Sequence, residues 1–211
     1  MKASSWSIIL CSLVTFTAFI FPDLIEFLAF TPADLHRLRL WTLVTALFLH
    51  SSLLHLLGNM IFLFVLGRTL ERVTSSTKFL TVFLTGGILS FILSVPFYQP
   101  DVLMLGASAA IFSVASAVML ITPLTFSIIF LAPVGAVALL YFLYNIAAVY
   151  YGISGNVAYI SHIIGFALGI PFGISWSKKW KRNLGISIIL LLAYMVLTWM
   201  ISRLLTVPTL Q

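Results

Sequence analysis

The sequence predicts an all-α polytopic membrane helical bundle with about seven transmembrane helices, on three observations. Hydrophobic residues make up 62% of the 211-residue chain and charged residues only 8%, whereas soluble domains have about 45–50% and about 25%. The apolar residues form runs of about 20, long enough to cross a bilayer. Charged residues are concentrated between these runs. Because backbone groups in lipid must bond within the chain, such runs are expected to be helices.

The composition excludes several other classes of protein. With 11 basic and five acidic side chains, the chain cannot be a soluble globular domain, a disordered chain or a disulfide-built secreted module. The net charge of +6 does not indicate nucleic-acid binding, because the basic residues lie in short clusters at the ends of apolar runs. Membrane lipid explains this placement. The single cysteine, Cys11, cannot form an internal disulfide.

The first half of the chain contains four predicted spans, at about residues 6–21, 53–70, 79–97 and 106–123. The first lacks an A-x-A-like cleavage site at its end, so it is predicted to be a retained span rather than a signal peptide. A longer stretch with several charges, residues 22–52, follows it. The charged run from Arg68 to Lys78 closes the second span, and Pro100 and Asp101 end the third. Pro123 marks the end of the fourth, within an uncharged stretch.

The second half contains three predicted spans, at about residues 124–149, 158–176 and 184–205. A loop rich in tyrosine and glycine, residues 150–156, separates the fifth from the sixth. The basic cluster from Lys178 to Arg182 separates the sixth from the seventh. The sequence therefore predicts one membrane domain over residues 1–211.

The distribution of lysine and arginine predicts the orientation in the membrane. With the N-terminus inside, three basic residues lie outside and eight lie inside, which are Lys2, Arg68, Arg72, Lys78, Lys178, Lys179, Lys181 and Arg182. The positive-inside rule therefore places the N-terminus in the cytoplasm and the C-terminus outside. We expect an integral multi-pass protein of the cell membrane.

Polar residues inside apolar spans are costly, so they are the candidates for function. His55 and Asn59 open the second span and are four residues apart, hence on one helix face. Ser108 opens the fourth span, and His162 lies in the sixth. All three spans run from outside to inside in the predicted topology.

The depth of these residues can be estimated from helix geometry. His162 lies six residues after Asn156, which is about 9 Å at 1.5 Å per residue. Residues 108–122 make a helix of about 22 Å, against a hydrocarbon core of about 30 Å. If Pro123 marks the inner edge, Ser108 begins about 8 Å below the outer edge. His55, Ser108 and His162 are therefore expected at similar depth in one leaflet, together with Asn59.

A serine beside a histidine can act as a nucleophile with a general base. A serine at a helix N-terminus also has free backbone N–H groups beside it, which suit a developing oxyanion. His55 and Asn59 could donate further hydrogen bonds to that oxygen. Because no carboxylate lies in this layer, the sequence predicts a dyad of Ser108 and His162. Burial in the membrane should keep His162 neutral, as a general base requires.

Other chemistries fit these residues less well, and several of the residues also have plainer explanations. No aspartate lies within a span, and His50 and His55 lack the spacing and partners of a zinc site, so no metal or organic cofactor is predicted. The small residues from Gly106 to Ala110, and the pair Gly165 and Gly169, could serve helix packing alone. A lone membrane histidine could be an interhelical hydrogen-bond partner, and His50 could bond backbone in the outer loop. The joint occurrence of these polar residues in one leaflet favours a catalytic site over packing alone.

Taken together, the motifs over residues 40–170 resemble those of the rhomboid intramembrane serine proteases. The match consists of five groups in the family's order: Trp41 with His50, then His55 and Asn59, then Gly67 and Glu71, then Gly106-Ala-Ser108, then His162-x-x-Gly165-x-x-x-Gly169. Singly these motifs are weak, but in combination they are highly specific. The resemblance covers the predicted second to sixth spans and part of the loop before them.

The resemblance implies a role for each of these residues. Ser108 would be the nucleophile and His162 the base, while His55, Asn59 and the Ser108 N–H would form the oxyanion hole. Four residues would support the site: Gly106, His50, Phe112 and Gly165. Phe112 would stack on His162.

The resemblance also implies a six-helix core at about residues 6–176, with an extra helix at about 184–205. The outer stretch before His50 would be a membrane-embedded loop, and the loop before the sixth span a mobile cap over a water-filled cavity. Four positions depart from the family pattern. Thr42 stands where arginine often follows Trp41, and Ala109 where glycine commonly follows the nucleophile. Ser161 stands where alanine usually precedes the histidine, and Phe112 where some members have tyrosine. With Thr42 in place of arginine, the usual anchor of the outer loop is missing.

The function expected from this resemblance is that of an intramembrane serine endopeptidase acting on the transmembrane segments of other membrane proteins. One alternative is a rhomboid-like protein that binds transmembrane clients without cutting them. Another is a small transporter or channel, which the lack of charged residues within the spans and of internal repeats disfavours. The sequence leaves the substrate and the oligomeric state open.

Overall fold

The computed structural model describes residues 2–153 and 157–205, and its main elements are seven apolar helices. We label them α1 to α7 in chain order: Ala3–Ile20, Leu53–Val73, Ser76–Ser94, Ser108–Ile121, Val134–Tyr150, Tyr159–Trp176 and Trp180–Leu205. Helix α2 contains a π-helical stretch at Leu63–Gly67. A 3₁₀ turn at Val95–Phe97 extends α3. The predicted all-α membrane bundle is confirmed.

Five of these helices, α1, α2, α3, α6 and α7, are long and apolar enough to cross a membrane. The other two, α4 and α5, are apolar but shorter, with 14 and 17 residues. Every residue of α4 from Ala109 to Leu120 is buried. Because neighbouring helices surround α4, its short length does not expose its ends to lipid. The chain is therefore a multi-pass membrane protein with α4 at its centre.

The prediction of a fifth span at residues 124–149 is wrong in its first third. Residues Phe126–Ser127 and Ala132–Pro133 instead form an antiparallel hairpin, strands β1 and β2, and α5 begins only at Val134. Leu131 takes a positive φ of 51° in the turn. The hairpin is as apolar as a span, so hydropathy alone could not separate it from a helix.

The loop between α1 and α2 is held by Arg39, which contributes the anchor that the sequence lacks at Thr42. The Arg39 guanidinium donates to the backbone carbonyls of Glu26 and Phe27 at 2.7 and 3.2 Å. It also pairs with the fully buried Asp34 carboxylate at 3.1 Å. Several short bonds to one planar guanidinium fix its orientation. The loop is thus ordered by a different arginine, placed before Trp41 rather than after it.

The Glu71 carboxylate, in the last turns of α2, joins three helices. It accepts hydrogen bonds from the backbone N–H of Ala3 at 2.6 Å and of Ser4 at 3.1 Å. It also accepts from the hydroxyls of Ser4 at 2.6 Å and Ser76 at 2.5 Å. A carboxylate at a helix N-terminus satisfies free N–H groups and is attracted to the positive end of the helix dipole. Glu71 therefore fixes the starts of α1 and α3 against α2. It lies about three helical turns after Asn59 on α2.

Helix α7 packs against α4 and α5. Near its start, the Asn183 amide donates to the carbonyls of Leu120 and Ile121, at 2.8 and 3.0 Å. These are carbonyls at the end of α4 that have no partner within that helix. The division into a core at residues 6–176 and an extra helix at 184–205 stays a prediction, but α7 contributes a cap to the central helix.

Candidate active site

Ser108 is the first residue of α4 and follows a backbone turn that only glycine adopts easily. Gly106 has a φ of +115°, and its N–H donates to the carbonyl of Ala46 at 2.8 Å. The strand-like contact between Phe30 and Met104 holds the segment just before it. As the first helical residue, Ser108 has a backbone N–H without an acceptor inside α4. Its hydroxyl therefore lies beside a free donor.

His162 is the fourth residue of α6. Its side chain contacts Ser108 across the interface of α4 and α6. Its Nε2 lies 2.7 Å from the Ser108 Oγ, the length of a strong hydrogen bond. The residue is 7% exposed. This pair gives a serine hydroxyl and a buried imidazole the geometry of a nucleophile and a base.

Two glycines allow α6 to come this close to α4. A Cβ added at Gly165 would collide with the carbonyl oxygen of Ala109, and one at Gly169 with that of Ser113. The Ser113 hydroxyl in turn donates to the Gly165 carbonyl at 2.6 Å. These glycines therefore serve helix packing, and the same close packing brings the side chains of Ser108 and His162 within hydrogen-bond distance.

An aromatic stack supports the imidazole from one face. The Phe112 ring lies parallel to the His162 ring, with 4.7 Å between centroids and 12° between planes. On its other side Phe112 stacks on Tyr141 of α5, at 5.0 Å and 11°. Phe112 sits one helical turn after Ser108, so it reaches the same partner. The stack restricts rotation of the His162 ring.

Asn145 of α5 also contacts the imidazole, although it is not among the residues that the sequence analysis predicts. Its Oδ1 lies 2.8 Å from the His162 Nδ1, and its Nδ2 donates to the Tyr141 carbonyl at 2.7 Å. Apart from tyrosines it is the one polar side chain of α5, and it is 1% exposed. Its cost at membrane depth was a usable signal. His162, predicted to form a dyad with Ser108, therefore also has Asn145 as a hydrogen-bond partner.

The two predicted donors on α2 face the turn before Ser108. A Cβ added at Gly106 would lie 2.8 Å from Cε1 and 2.9 Å from Nε2 of His55, and 3.8 Å from Nδ2 of Asn59. The His55 Nδ1 lies 3.2 Å from the Ser51 hydroxyl. His55 and Asn59 therefore border the segment that leads into the serine. Glycine at 106 is required both by its φ and by their closeness.

His50 is fully buried and holds the same turn from the other side. Its Nε2 accepts from the Ala107 N–H at 3.4 Å, and its Nδ1 lies 3.2 Å from the Thr15 hydroxyl. The His50 and His55 rings are 5.0 Å apart, nearly edge to face. His50 thus links α1 to the backbone just before Ser108, as a buried imidazole that bonds backbone.

The structure brings the eight predicted site residues into one region where α2, α4 and α6 meet. Their chemical roles stay predictions. The loop predicted as a cap, residues 150–156, is only partly within the described residues, because 154–156 lie outside them. In the described ranges no three histidine, cysteine or acidic side chains are grouped to hold a metal ion.

The family of this chain is settled by comparison with known proteins. A family model described as the Rhomboid domain matches residues 37–179, about two thirds of the chain. The chain belongs to the rhomboid family. The matched range contains Trp41, all eight predicted site residues and Asn145, and it ends just after α6. The rhomboid family includes intramembrane proteases.

Curated relatives match this rhomboid chain over shorter stretches. Rhomboid-like protease 3 of Toxoplasma gondii is 37% identical over 86 residues, which are 41% of this chain and 32% of the relative. RHOMBOID-like protein 7 of Arabidopsis thaliana is 33% identical over 84 residues, 40% and 26% respectively. The putative rhomboid protease YdcA of Bacillus subtilis (strain 168) is 36% identical over 72 residues, 34% and 36%. The matched stretches span about a quarter to a third of these relatives.

Proposed function

We propose that this rhomboid chain is an intramembrane serine endopeptidase that cleaves transmembrane segments of other membrane proteins. The observation that carries the proposal is the 2.7 Å contact between the Ser108 Oγ and the His162 Nε2, at the start of the central helix of a membrane bundle. Two of the relatives are named as proteases, which supports the same activity. No charged residue contributes to this pair.

The proposed reaction follows from the positions of these atoms. The Ser108 Oγ attacks the scissile carbonyl carbon while its proton passes to the His162 Nε2. The carbonyl oxygen becomes an oxyanion, which the Ser108 N–H, His55 and Asn59 stabilise. His162 then gives its proton to the leaving amine as the C–N bond breaks. A water molecule, deprotonated by the same imidazole, then attacks the acyl carbon. The bond to the Ser108 Oγ breaks, and Oγ takes the proton back from Nε2.

The proposed substrates are transmembrane segments, because the site lies in a bundle whose outer surface is apolar. Many large apolar side chains of α1 and α7 are exposed, as expected for helices that face lipid. A helical substrate presents hydrogen-bonded carbonyls that cannot be attacked until the helix opens. We therefore expect cleavage in or near the transmembrane helix of single-span proteins. The resemblance to rhomboid proteases further implies small residues near the cut and helix-loosening residues beyond it.

Labelling with a fluorophosphonate probe tests this proposal on the detergent-solubilised protein. The wild-type protein should become covalently labelled, because an activated serine attacks the phosphorus and displaces fluoride. Ser108→Ala should remove the labelling. Ser113→Ala is the matched control, since Ser113 is a buried serine of the same helix that bonds backbone, and this variant should label normally.

Absence of labelling in the wild-type protein, or labelling that persists in Ser108→Ala, would contradict the proposal. An unlabelled wild-type protein that still retained a transmembrane client through purification would instead support the non-cleaving alternative. Client binding without cleavage needs none of the Ser108–His162 geometry.

We also propose that the N-terminus lies in the cytoplasm, the C-terminus outside, and the Ser108 layer in the outer leaflet of the cell membrane. The basis is the excess of basic residues on one side of the predicted spans. A reporter active only outside the cytoplasm, fused after α7, should be active, and one fused before α1 should be inactive. The reverse pattern would show that the orientation is wrong.

A further inference from the structure

The interface of α5 and α6 contains a hydrogen-bonded chain that the rhomboid motifs do not describe. It runs from the Ser108 Oγ to the His162 Nε2 at 2.7 Å, from the His162 Nδ1 to the Asn145 Oδ1 at 2.8 Å, and from the Asn145 Nδ2 to the Tyr141 carbonyl at 2.7 Å. His162 and Asn145 are 7% and 1% exposed. Water therefore has little access to the middle of the chain.

The last bond determines the direction of the other two. A backbone carbonyl can only accept, so the Asn145 amide must turn its NH₂ toward Tyr141. This leaves Oδ1, an acceptor, facing the His162 Nδ1, which must then carry a proton. A neutral imidazole has one N–H, so Nε2 is left with its lone pair directed at Ser108. Each bond in the chain thus donates toward α5.

We propose that Asn145 is a positioning residue that holds His162 in the one neutral tautomer able to take the Ser108 proton. The proposal rests on the proposed function of the Ser108–His162 pair. No proton is transferred to Asn145, since a carboxamide is too weak a base. When Nε2 gains the serine proton, the Nδ1–H···Oδ1 bond becomes charge-assisted and stabilises the imidazolium. Asparagine has the corresponding place in papain-like proteases.

Helix α5 also sets the tilt of the imidazole. Tyr141 lies one turn before Asn145, and its ring stacks on Phe112, which stacks on His162. The same helical face therefore contacts the imidazole at its edge through Asn145 and supports its plane through the aromatic stack. The backbone carbonyl of Tyr141 orients the amide, so one turn of α5 determines both the tautomer and the ring orientation.

Asn145→Leu tests the inference, because leucine has a similar volume but no acceptor. We expect kcat on a transmembrane reporter to fall about 10²–10⁴-fold, with 10⁴ being the loss when a soluble serine protease holds the wrong tautomer. KM should stay near the wild-type value. Asn145→Asp should recover most of the loss, because a neutral carboxyl can accept from Nδ1 and donate to the Tyr141 carbonyl.

Asn183→Leu is the control for a purely structural effect. It makes the same exchange at a buried asparagine, whose amide bonds the Leu120 and Ile121 carbonyls at the other end of α4, without touching His162. It should lower the melting temperature and leave kcat unchanged. If Asn145→Leu behaved like Asn183→Leu, losing stability and keeping kcat, the positioning role would be overturned.

A spectroscopic readout separates this inference from the proposed activity. In ¹⁵N-histidine-labelled protein, the His162 resonances should show a protonated Nδ1 and an unprotonated Nε2. In Asn145→Leu the two tautomers should mix. An unchanged tautomer in the leucine variant would refute the role of Asn145 even if the enzyme were active. The wild-type protein could fail to react with fluorophosphonate and still show the Nδ1-protonated tautomer, with mixed tautomers in Asn145→Leu. That result would refute only the proposed function.

Discussion

Ser108→Ala and His162→Ala should each abolish cleavage of a transmembrane reporter substrate, with kcat falling by on the order of 10⁶-fold, the loss measured in a soluble serine protease. The physical reason is that the two side chains act as one unit, joined by the 2.7 Å contact between Oγ and Nε2. Without the hydroxyl no covalent bond to the substrate forms. Without the imidazole the hydroxyl keeps its proton. The measurement is turnover in proteoliposomes, in single variants and in the double variant.

The double variant gives the decisive comparison. Because the residues act together, the combined loss should be no greater than either single loss. His162→Ala also removes a ring from the stack with Phe112 and the bond to Asn145, so its melting temperature must be recorded. His162→Gln, which keeps much of the side-chain volume, separates lost chemistry from lost packing. Wild-type turnover in a folded Ser108→Ala protein would refute the assignment.

Asn59→Ala should slow turnover by about 10²–10³-fold while leaving the apparent affinity for the substrate nearly unchanged. The Asn59 amide is proposed to bond an oxygen whose charge develops only in the transition state, so its loss raises the barrier rather than weakening binding. That range is the cost of one such donor in a soluble serine protease. His55→Ala should act in the same direction. Both variants are measured on one transmembrane substrate in proteoliposomes.

The contrasting outcome is as informative. His55 and Asn59 could serve only as hydrogen-bond partners that hold α2 against the turn at Gly106. In that case both variants would lower the melting temperature and keep wild-type turnover. Leu54→Ala is the matched control, because Leu54 precedes His55 on α2 but is 82% exposed. It should change neither turnover nor stability by much.

The location of the helices could be predicted from hydropathy because lipid imposes a simple requirement. A span needs about 20 apolar residues, and charges collect at its ends. Helices α1, α3 and α6 therefore begin and end within a few residues of the predicted spans. The hairpin before α5 could not be predicted from hydropathy. Its backbone groups bond through the pairing of β1 with β2, and hydropathy does not distinguish this pairing from a helix.

The candidate site was predictable in part, for a related reason. Polar residues are rare at membrane depth, so Ser108, His162, His55 and Asn59 could be identified and assigned to one layer by counting residues along helices. Asn145 was equally rare in its helix but has no neighbour in sequence with which it makes a recognisable pattern. Its partner is 17 residues away on the next helix, and only the packing of α5 against α6 joins them.

The sequence by itself determined that this is a multi-pass helical membrane protein, and its motifs identified the rhomboid family. Composition and residue spacing suffice for these conclusions because the bilayer and the helical repeat translate them directly into spans and depths. Only the tertiary structure decided which atoms meet. The contact of α6 with α4 at Gly165 and the bond from His162 to Asn145 depend on the rotation of packed helices about their axes, which hydropathy leaves free. The anchoring by Arg39 depends on how the loop between α1 and α2 folds, which hydropathy does not report either.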